Sequence, residues 1–353
     1  MSKYWSKLTS KIKPYTPGEQ PQDKKYIKLN TNENPYPPSP EVLRVINNYD
    51  KSNLRLYPDP ESKNLIQTIA DYYKVMPGQI FVGNGSDEVL ALSFLTFFEP
   101  ERTILFPDIT YSFYKVYCSL LNIDYKLVSV DNDFSLNHED YSQNNNGIIF
   151  PNPNAPTGKY LEVDSVRKIL DNNQESVVIV DEAYIDFGGE SMVKFIDQYP
   201  NLLVIQTLSK SRSLAGMRIG YAVGQKHLIE GLNRIKNSFN SYPIDRIAAV
   251  AAAAAIKDRR YFQKTRQKIL KTRNRVRQHL KDIGFKVIPS STNFIFVSHK
   301  EYQADYLFKT LKDEGILVRY FNQPRIDNYL RISIGKDNEM DVFVRKLKDI
   351  IGR

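Results

Sequence analysis

From Glu41 onward the chain alternates between two hydrophobic periods, and this alternation limits its fold more than any other feature. Helical patterns over 41–49, 61–74, 86–98, 111–121 and 162–172 are separated by short β-rich runs such as Thr103 to Phe106 and Ser176 to Val180. Leu202 to Gln206 and Ile219 to Val223 are further strand candidates. Such alternation predicts a mostly parallel sheet covered by helices on both faces. A long helical region, Ile244 to Leu280, follows, and its Ala248 to Ala255 section permits close helix packing. Shorter units come last: a strand at Asn293 to Val297, a helix at Tyr302 to Lys312, strands at Leu317 to Tyr320 and Tyr329 to Ile334, and a helix at Met340 to Ile350. They read as a second, smaller α+β domain.

Up to Pro40 the sequence is rich in Pro, Asn, Lys and Tyr and holds no sustained period, so an extended arm is expected there. The length of 353 residues allows two or three domains. The expected division is an arm over 1–40 that belongs with the small domain, a large domain over 41–265 and a small domain over 266–353. The run 142–147 is a polar loop.

With 41% hydrophobic and 25% charged residues the chain has a globular composition. Its longest apolar stretch, Ile247 to Ile256, is about half of a bilayer span, and its first residues show no apolar signal core. Cys118 is the single cysteine, and His138, His227, His279 and His299 show no metal-ligand spacing. These features lead to the expectation of a cytoplasmic, metal-free protein with no membrane partner. The net charge of +9 is concentrated between Lys257 and Lys281, where eleven Lys or Arg residues stand against Asp258 alone. Ile269, Val276 and Leu280 give that stretch one narrow apolar face, which predicts a helix with its basic side in water and no nucleic-acid partner.

In open α/β sheets ligands gather beyond the carboxyl ends of the strands, so polar residues that directly follow an apolar run are the candidates for chemistry. Phe81-Val-Gly-Asn-Gly-Ser-Asp-Glu88 is a strand and a glycine turn opening a helix, with Ser86 as its expected cap and free amides suited to a phosphate. It is neither a dinucleotide fingerprint, which needs a glycine at Glu88, nor a P-loop. Val178-Ile-Val-Asp181 ends in a carboxylate with no histidine or second acid to complete a metal site, so a cationic partner suits it better. Leu203 to Lys210 is a strand that leads into a lysine, with Arg218 eight residues further on. A lysine buried beside other cations loses its proton more readily and becomes a nucleophile toward an aldehyde. Pyridoxal 5′-phosphate needs all three features: a lysine for its aldehyde, a carboxylate for its ring nitrogen, and amides with an arginine for its phosphate.

The segments PYTPGEQP (14–21), KLNTNENPYPPSP (28–40), RLYPDP (55–60), VGNGSDE (82–88), PNAPTG (153–158), VDEAY (180–184), TLSKSRSLAGMRIG (207–220), TNFIFV (292–297) and YLRISIG (329–335) span nearly the whole chain. On these motifs the chain resembles the fold-type-I pyridoxal-phosphate aminotransferases, and in detail the histidinol-phosphate aminotransferase family. The resemblance implies a large domain with a mostly parallel seven-stranded sheet between helices, a smaller α+β domain, and a homodimer with shared sites. It implies transfer of the amino group of L-histidinol phosphate to 2-oxoglutarate, giving imidazole-acetol phosphate and L-glutamate for histidine biosynthesis.

Carried over by position, the resemblance makes Lys210 the lysine that bonds the cofactor's aldehyde and Asp181 the partner of its ring nitrogen. Tyr184 would meet the phenolic oxygen and Tyr111 would stack on the ring. Ser86, Asp87, Ser209 and Arg218 would hold the phosphate, with Tyr57 arriving from the other subunit. Arg331 would bind the group on the substrate's α-carbon, with Arg319, Tyr15 and Asn32 beside it. The chain departs from the family at Ala155, where asparagine is frequent, and Asn154 is the neighbouring candidate for the cofactor.

A threonine-phosphate decarboxylase or an aromatic aminotransferase would share nearly all of these cofactor residues, and the arm and substrate motifs argue against both. A Ser/Lys acyl hydrolase would need serine at Thr207. A non-catalytic regulator on the same fold, binding nucleic acid through the basic stretch, is separated from an enzyme by a yellow colour that responds to amine donors.

Overall fold

The computed structural model describes residues 2–352. The first elements are a short helix α1 (Lys7–Lys11), strand β1 (Ile27–Lys28), and helices α2 (Pro40–Asn47) and α3 (Lys63–Tyr73). Seven strands and four helices follow as β2 (Ile80–Asn84), α4 (Gly85–Phe97), β3 (Ile104–Pro107), α5 (Phe113–Leu121), β4 (Tyr125–Val128), β5 (Ile148–Pro151), α6 (Val163–Asp171), β6 (Val178–Asp181), β7 (Leu202–Thr207), β8 (Ile219–Gly224) and α7 (Lys226–Phe239). These seven strands form one sheet in the order β2-β8-β7-β6-β5-β3-β4. Only β8 runs against its neighbours, and the other pairs are parallel.

Successive side chains of a strand point to opposite faces, and here both faces are apolar. Val178, Val180, Leu202, Val204 and Ile148 pack with Leu65, Ile69 and the alanines of α8 (Arg246–Lys257). On the other face, Ile179, Leu203, Ile205, Phe106 and Ile149 pack with Val89, Phe94, Tyr114 and Leu232. Near-continuous burial of β5, β6 and β7 explains why these strands carry almost no polar residue before their carboxyl ends.

The helical region expected from Ile244 to Leu280 is two helices, α8 and α9 (Arg259–Asp282), that meet at Asp258. The Asp258 carboxylate accepts from Tyr261 N across 3.0 Å, capping the second helix where the first ends, so the break is a capping event inside a continuous pattern. A second correction concerns the basic face of α9. Arg273 is buried rather than in water, and its guanidinium donates to the carbonyls of Phe187 (3.2 Å) and Thr292 (2.5 Å). Burial, followed by the neighbouring Arg277 and Arg266, lowers its pKa to about 10.

The remaining strands are β9 (Phe285–Val287), β10 (Phe294–His299), β11 (Ile316–Leu317), β12 (Arg319–Tyr320) and β13 (Leu330–Ser333), with helices α10 (Ala304–Asp313) and α11 (Asp337–Ile351). They form an antiparallel sheet in the order β12-β13-β10-β9, and β11 pairs in parallel with β1 from the arm. The expected strand Leu317 to Tyr320 is therefore two, because Ile316–Leu317 and Arg319–Tyr320 join different sheets. Among the described residues no helix is long and apolar enough to cross a membrane.

Candidate active site

One cleft opens at the carboxyl ends of β5, β6 and β7, where the smaller sheet and residues of the arm face the large one. Of the residues singled out from sequence it gathers Tyr15, Asn32, Ser86, Asp87, Tyr111, Asp181, Tyr184, Ser209, Lys210, Arg218, Arg319 and Arg331.

Asp181 ends β6 and is 4% exposed. Its Oδ2 accepts from the Tyr114 hydroxyl at 2.9 Å and its Oδ1 from Ala183 N at 3.2 Å. Burial raises its pKa to about 6, against the opposing pull of those two hydrogen bonds. A buried acid held in this way is stabilised by any cation placed against it.

Lys210 lies three residues beyond β7. Its Nζ reaches the Thr31 carbonyl at 3.4 Å and stands 5.8 Å from the centre of the Tyr184 ring. Asn34 fixes the turn beneath it, its Nδ2 donating to the carbonyls of Lys210 and Ser211 at 2.9 and 3.2 Å. Next to this turn the Ser209 hydroxyl accepts from Thr207 at 2.9 Å.

At the start of α4 the first-turn amides have no partner four residues back, which leaves them free for an anion. Ser86 is not the cap expected from sequence: the helix begins at Gly85, with Asn84 in the capping position. Gly85 has φ of 79°, and a Cβ there would meet the Arg218 guanidinium at 2.5 Å. A Cβ on Gly220 would meet Ser86 N at 2.3 Å. Both glycines are needed to bring Arg218 and the helix start together. Arg218 in turn pairs with Asp87 at 2.9 Å, whose other carboxylate oxygen accepts from the Tyr111 hydroxyl at 2.9 Å.

Arg331 on β13 faces Arg319 on β12 as a paired residue. Among the described residues neither has an acid within ion-pair distance. Arg331 donates to the Asn30 carbonyl at 3.0 Å, its buried Nε has no partner, and the guanidinium lies over Phe294 and Phe321 at 5.3 and 5.5 Å. Burial, with a further contribution from Arg319, holds its pKa below the ordinary arginine value.

Three sequence candidates fall differently. Tyr57 is 78% exposed and stacks on Tyr242 at 4.8 Å, away from the cleft of its own chain. Asn154 turns its amide to the Ile109 carbonyl and Thr157 Oγ1, both at 3.0 Å, while Ala155 and Pro156 line the cleft wall. Asn32 is in the cleft, with its amide donating to the Tyr184 hydroxyl at 2.9 Å. Tyr114 and Asn34 were missed. Tyr114 follows Tyr111 by three residues and so shares its side of the helix start, and Asn34 lies within the arm motif at 28–40.

An amine, a buried acid in need of a cation and a helix-start anion cradle fit the three reactive parts of pyridoxal 5′-phosphate, and the sheet beneath them is that of the fold-type-I transferases. The profile of the class I and II aminotransferases matches residues 24–347. A histidinol-phosphate aminotransferase of Clostridium botulinum (strain Okra) is 62% identical over 353 residues, covering 100% of both chains. Another, of Clostridium acetobutylicum, is 59% identical over 351 residues, covering 99% of this chain and all of that one. The crystal structure of histidinol-phosphate aminotransferase from Sinorhizobium meliloti in complex with pyridoxal-5′-phosphate superposes with a TM-score of 0.91 at 24% identity, covering 100% and 98% of the two chains. The chain belongs to the histidinol-phosphate aminotransferase family.

Proposed function

We propose that the protein moves the amino group of L-histidinol phosphate to 2-oxoglutarate, as a homodimer in the cytoplasm. The observation that carries this reading is Arg331, a half-buried guanidinium whose buried Nε has no partner and which has no acid within ion-pair distance among the described residues, in the same cleft as Lys210. A guanidinium fork accepts a phosphate ester or a carboxylate, so the phosphorylated donor and glutamate can use one site in turn.

Pyridoxal phosphate, held by the helix-start amides at Ser86 and Asp87 with Ser209 and Arg218, supplies the electron sink for the reaction. Asp181, as a carboxylate, would hold a proton on the cofactor's ring nitrogen. The Lys210 amine would hold the cofactor's aldehyde and would be the base that takes a proton from the substrate's α-carbon. Tyr111 would cover the ring, and Tyr184 would contact the phenolic oxygen. Arg331, Arg319 and Tyr15 orient the substrate's anionic group. Asn154 is outside this reading, since its donors are already taken by Ile109 and Thr157.

Tyr57 enters from a second copy, which gives a reason for its exposure beside other exposed apolar residues, Leu54, Leu56, Phe239 and Tyr242. The division into an arm over 1–40, a large domain over 41–265 and a small domain over 266–353 is part of the same reading. It is supported by the larger sheet drawing only on strands between Ile80 and Gly224.

Turnover of purified protein with histidinol phosphate and 2-oxoglutarate, set against threonine phosphate and phenylalanine, tests the assignment. The phosphorylated amine should be used far better. Carbon dioxide released from threonine phosphate, or equal use of phenylalanine, would refute it.

A further inference from the structure

One chain of contacts in the cleft has its hydrogen-bond direction fixed from the backbone outward. It starts at Asn32, whose φ of 55° lies in the left-handed region that asparagine tolerates. In this conformation its own N–H and its own side-chain oxygen both reach Ser333 Oγ, at 2.8 and 2.9 Å. A backbone N–H only donates, so Ser333 Oγ accepts there and gives its single hydrogen to Asn32 Oδ1. The amide nitrogen of Asn32 is then the atom that faces Tyr184, and it donates to the tyrosine hydroxyl across 2.9 Å. An amide nitrogen does not accept, so the hydroxyl hydrogen of Tyr184 must point elsewhere.

The chain is held firmly. Asn32, Asn293 and Ser333 are all buried, and Asn293 Nδ2 donates to the Asn32 carbonyl at 3.0 Å. Two cations stand around Tyr184. Lys210 is one, and the other is Arg331, which lies over Phe294 where that ring meets Tyr184 edge-on at 5.1 Å. The free hydrogen and both cations favour an anionic oxygen at the same place.

We propose that Asn32 and Ser333 are positioning residues that leave Tyr184 able only to donate to an anionic oxygen bound in the cleft. This rests on the pyridoxal-phosphate reading, in which that oxygen is the cofactor's phenolate. It gives Asn32 a role through Tyr184 in place of the direct substrate contact expected from sequence. It also links the arm and β13 to the cofactor's charge state, because the hydroxyl that starts the polarity belongs to the smaller sheet.

The test is a titration of the substrate-free holoenzyme by visible absorbance, from about pH 5 to about pH 10. Tyr184→Phe takes a donor from an anionic oxygen, so the midpoint of the absorbance change should rise by about one to two pH units. Asn32→Asp keeps the shape but offers an acceptor, which turns the tyrosine hydrogen away from the cleft, and should raise the midpoint to a similar extent. In a Tyr184→Phe background the Asn32→Asp shift should largely vanish, whereas a simple charge effect would remain in full. Ser333→Ala, which adds no charge, should move the midpoint in the same direction by less and stands in if Asn32→Asp does not fold. A midpoint that moves with Tyr184→Phe but not with Asn32→Asp or Ser333→Ala overturns the proposal and leaves the cofactor reading intact. A full Asn32→Asp shift in the Tyr184→Phe background overturns it equally. Wild-type protein with no visible band after addition of pyridoxal phosphate overturns both.

Discussion

The Tyr114 hydroxyl donates to Oδ2 of Asp181 across 2.9 Å, joining the first turn of α5 to the end of β6. Both side chains are buried, so the contact is made in a dry setting where a hydrogen bond to an ionised group contributes about 1.5 to 3 kcal/mol. It partly offsets the burial that raises the pKa of Asp181 to about 6.

A pH dependence of the cofactor-free protein follows from that raised value. An acid whose folded pKa exceeds its unfolded one favours the fold most below the unfolded pKa, and this contribution is lost as pH rises through about 6. Asp181→Asn removes the buried charge, so cofactor-free Asp181→Asn should be more stable than wild type at neutral pH, by on the order of 2 to 3 kcal/mol. The difference should close below about pH 4. Pyridoxal phosphate should reverse the order by placing a cation against the carboxylate. Thermal midpoints at both pH values, with and without cofactor, check all three outcomes. A wild-type protein as stable as the variant at neutral pH would show that the carboxylate is not uncompensated.

The sequence made Asp181 legible because a carboxylate after an apolar strand breaks a pattern, and Lys210 for the same reason, with Arg218 read from its place eight residues beyond that lysine. The alternation that predicts the large sheet also held, since its strands are buried on both faces. What stayed hidden depends on contacts between distant elements. Tyr114 reads as one more aromatic of an apolar helix until α5 is packed on β6. Arg273 reads as part of a solvated basic face until the carbonyls of Phe187 and Thr292 are brought to it. The helix break at Asp258 was hidden because the apolar pattern continues through a single capping residue.

Arg325 ties the segment after β12 to the large sheet. It donates to Asp108 Oδ2 at 2.7 Å and to the carbonyls of Val130 and Asp131 at 2.6 and 3.0 Å, while Phe321, Gln323 and Ile326 of the same segment line the cleft. Its φ of 71° is one that asparagine tolerates, so Arg325→Asn removes the guanidinium without adding backbone strain. The variant should raise KM for the phosphorylated donor by roughly 3- to 10-fold with a smaller effect on kcat, and expose 321–328 to proteolysis. Moderate salt should weaken the wild-type contact in the same sense, because the pair is partly exposed. Unchanged KM and unchanged cleavage would show that the segment holds its place without Arg325.

Tyr57 supplies a test of assembly, since it is exposed and absent from the cleft of its own chain. If it serves the site of a partner in a two-fold dimer, Lys210→Ala mixed with an impaired Tyr57 variant should regain activity, because one of the two sites in each hybrid has both native residues. About a quarter of wild-type activity is expected when equal amounts exchange at random, since half the dimers are then hybrids with one intact site. Size-exclusion chromatography and a labelled subunit confirm exchange. No recovery after full exchange would place Tyr57 outside the site.

Arg331 and Arg319 face each other across β13 and β12, yet their settings differ, and their variants should differ accordingly. Arg331 is half-buried, with its buried Nε unpartnered, whereas Arg319 makes long contacts to the Thr16 and Pro17 carbonyls at 3.4 and 3.5 Å and lies over the Phe321 ring at 5.7 Å. An anionic group bound by Arg331 gains a desolvated charge-assisted contact, and phosphate and carboxylate compete for that one fork. Arg331→Leu should therefore lower kcat/KM of both half-reactions by about 10- to 100-fold. Arg319→Leu should cost the phosphorylated donor more than glutamate, because a dianionic phosphate responds more strongly to a second cation than a single carboxylate does. Dephosphorylated histidinol should be a poor donor to the wild-type protein and nearly indifferent to Arg331→Leu, having no anion for the fork to hold. Each half-reaction can be followed separately by the change in cofactor absorbance. Equal efficiency with histidinol and its phosphate ester would remove Arg331 from substrate recognition, while the fold and the cofactor residues would stand.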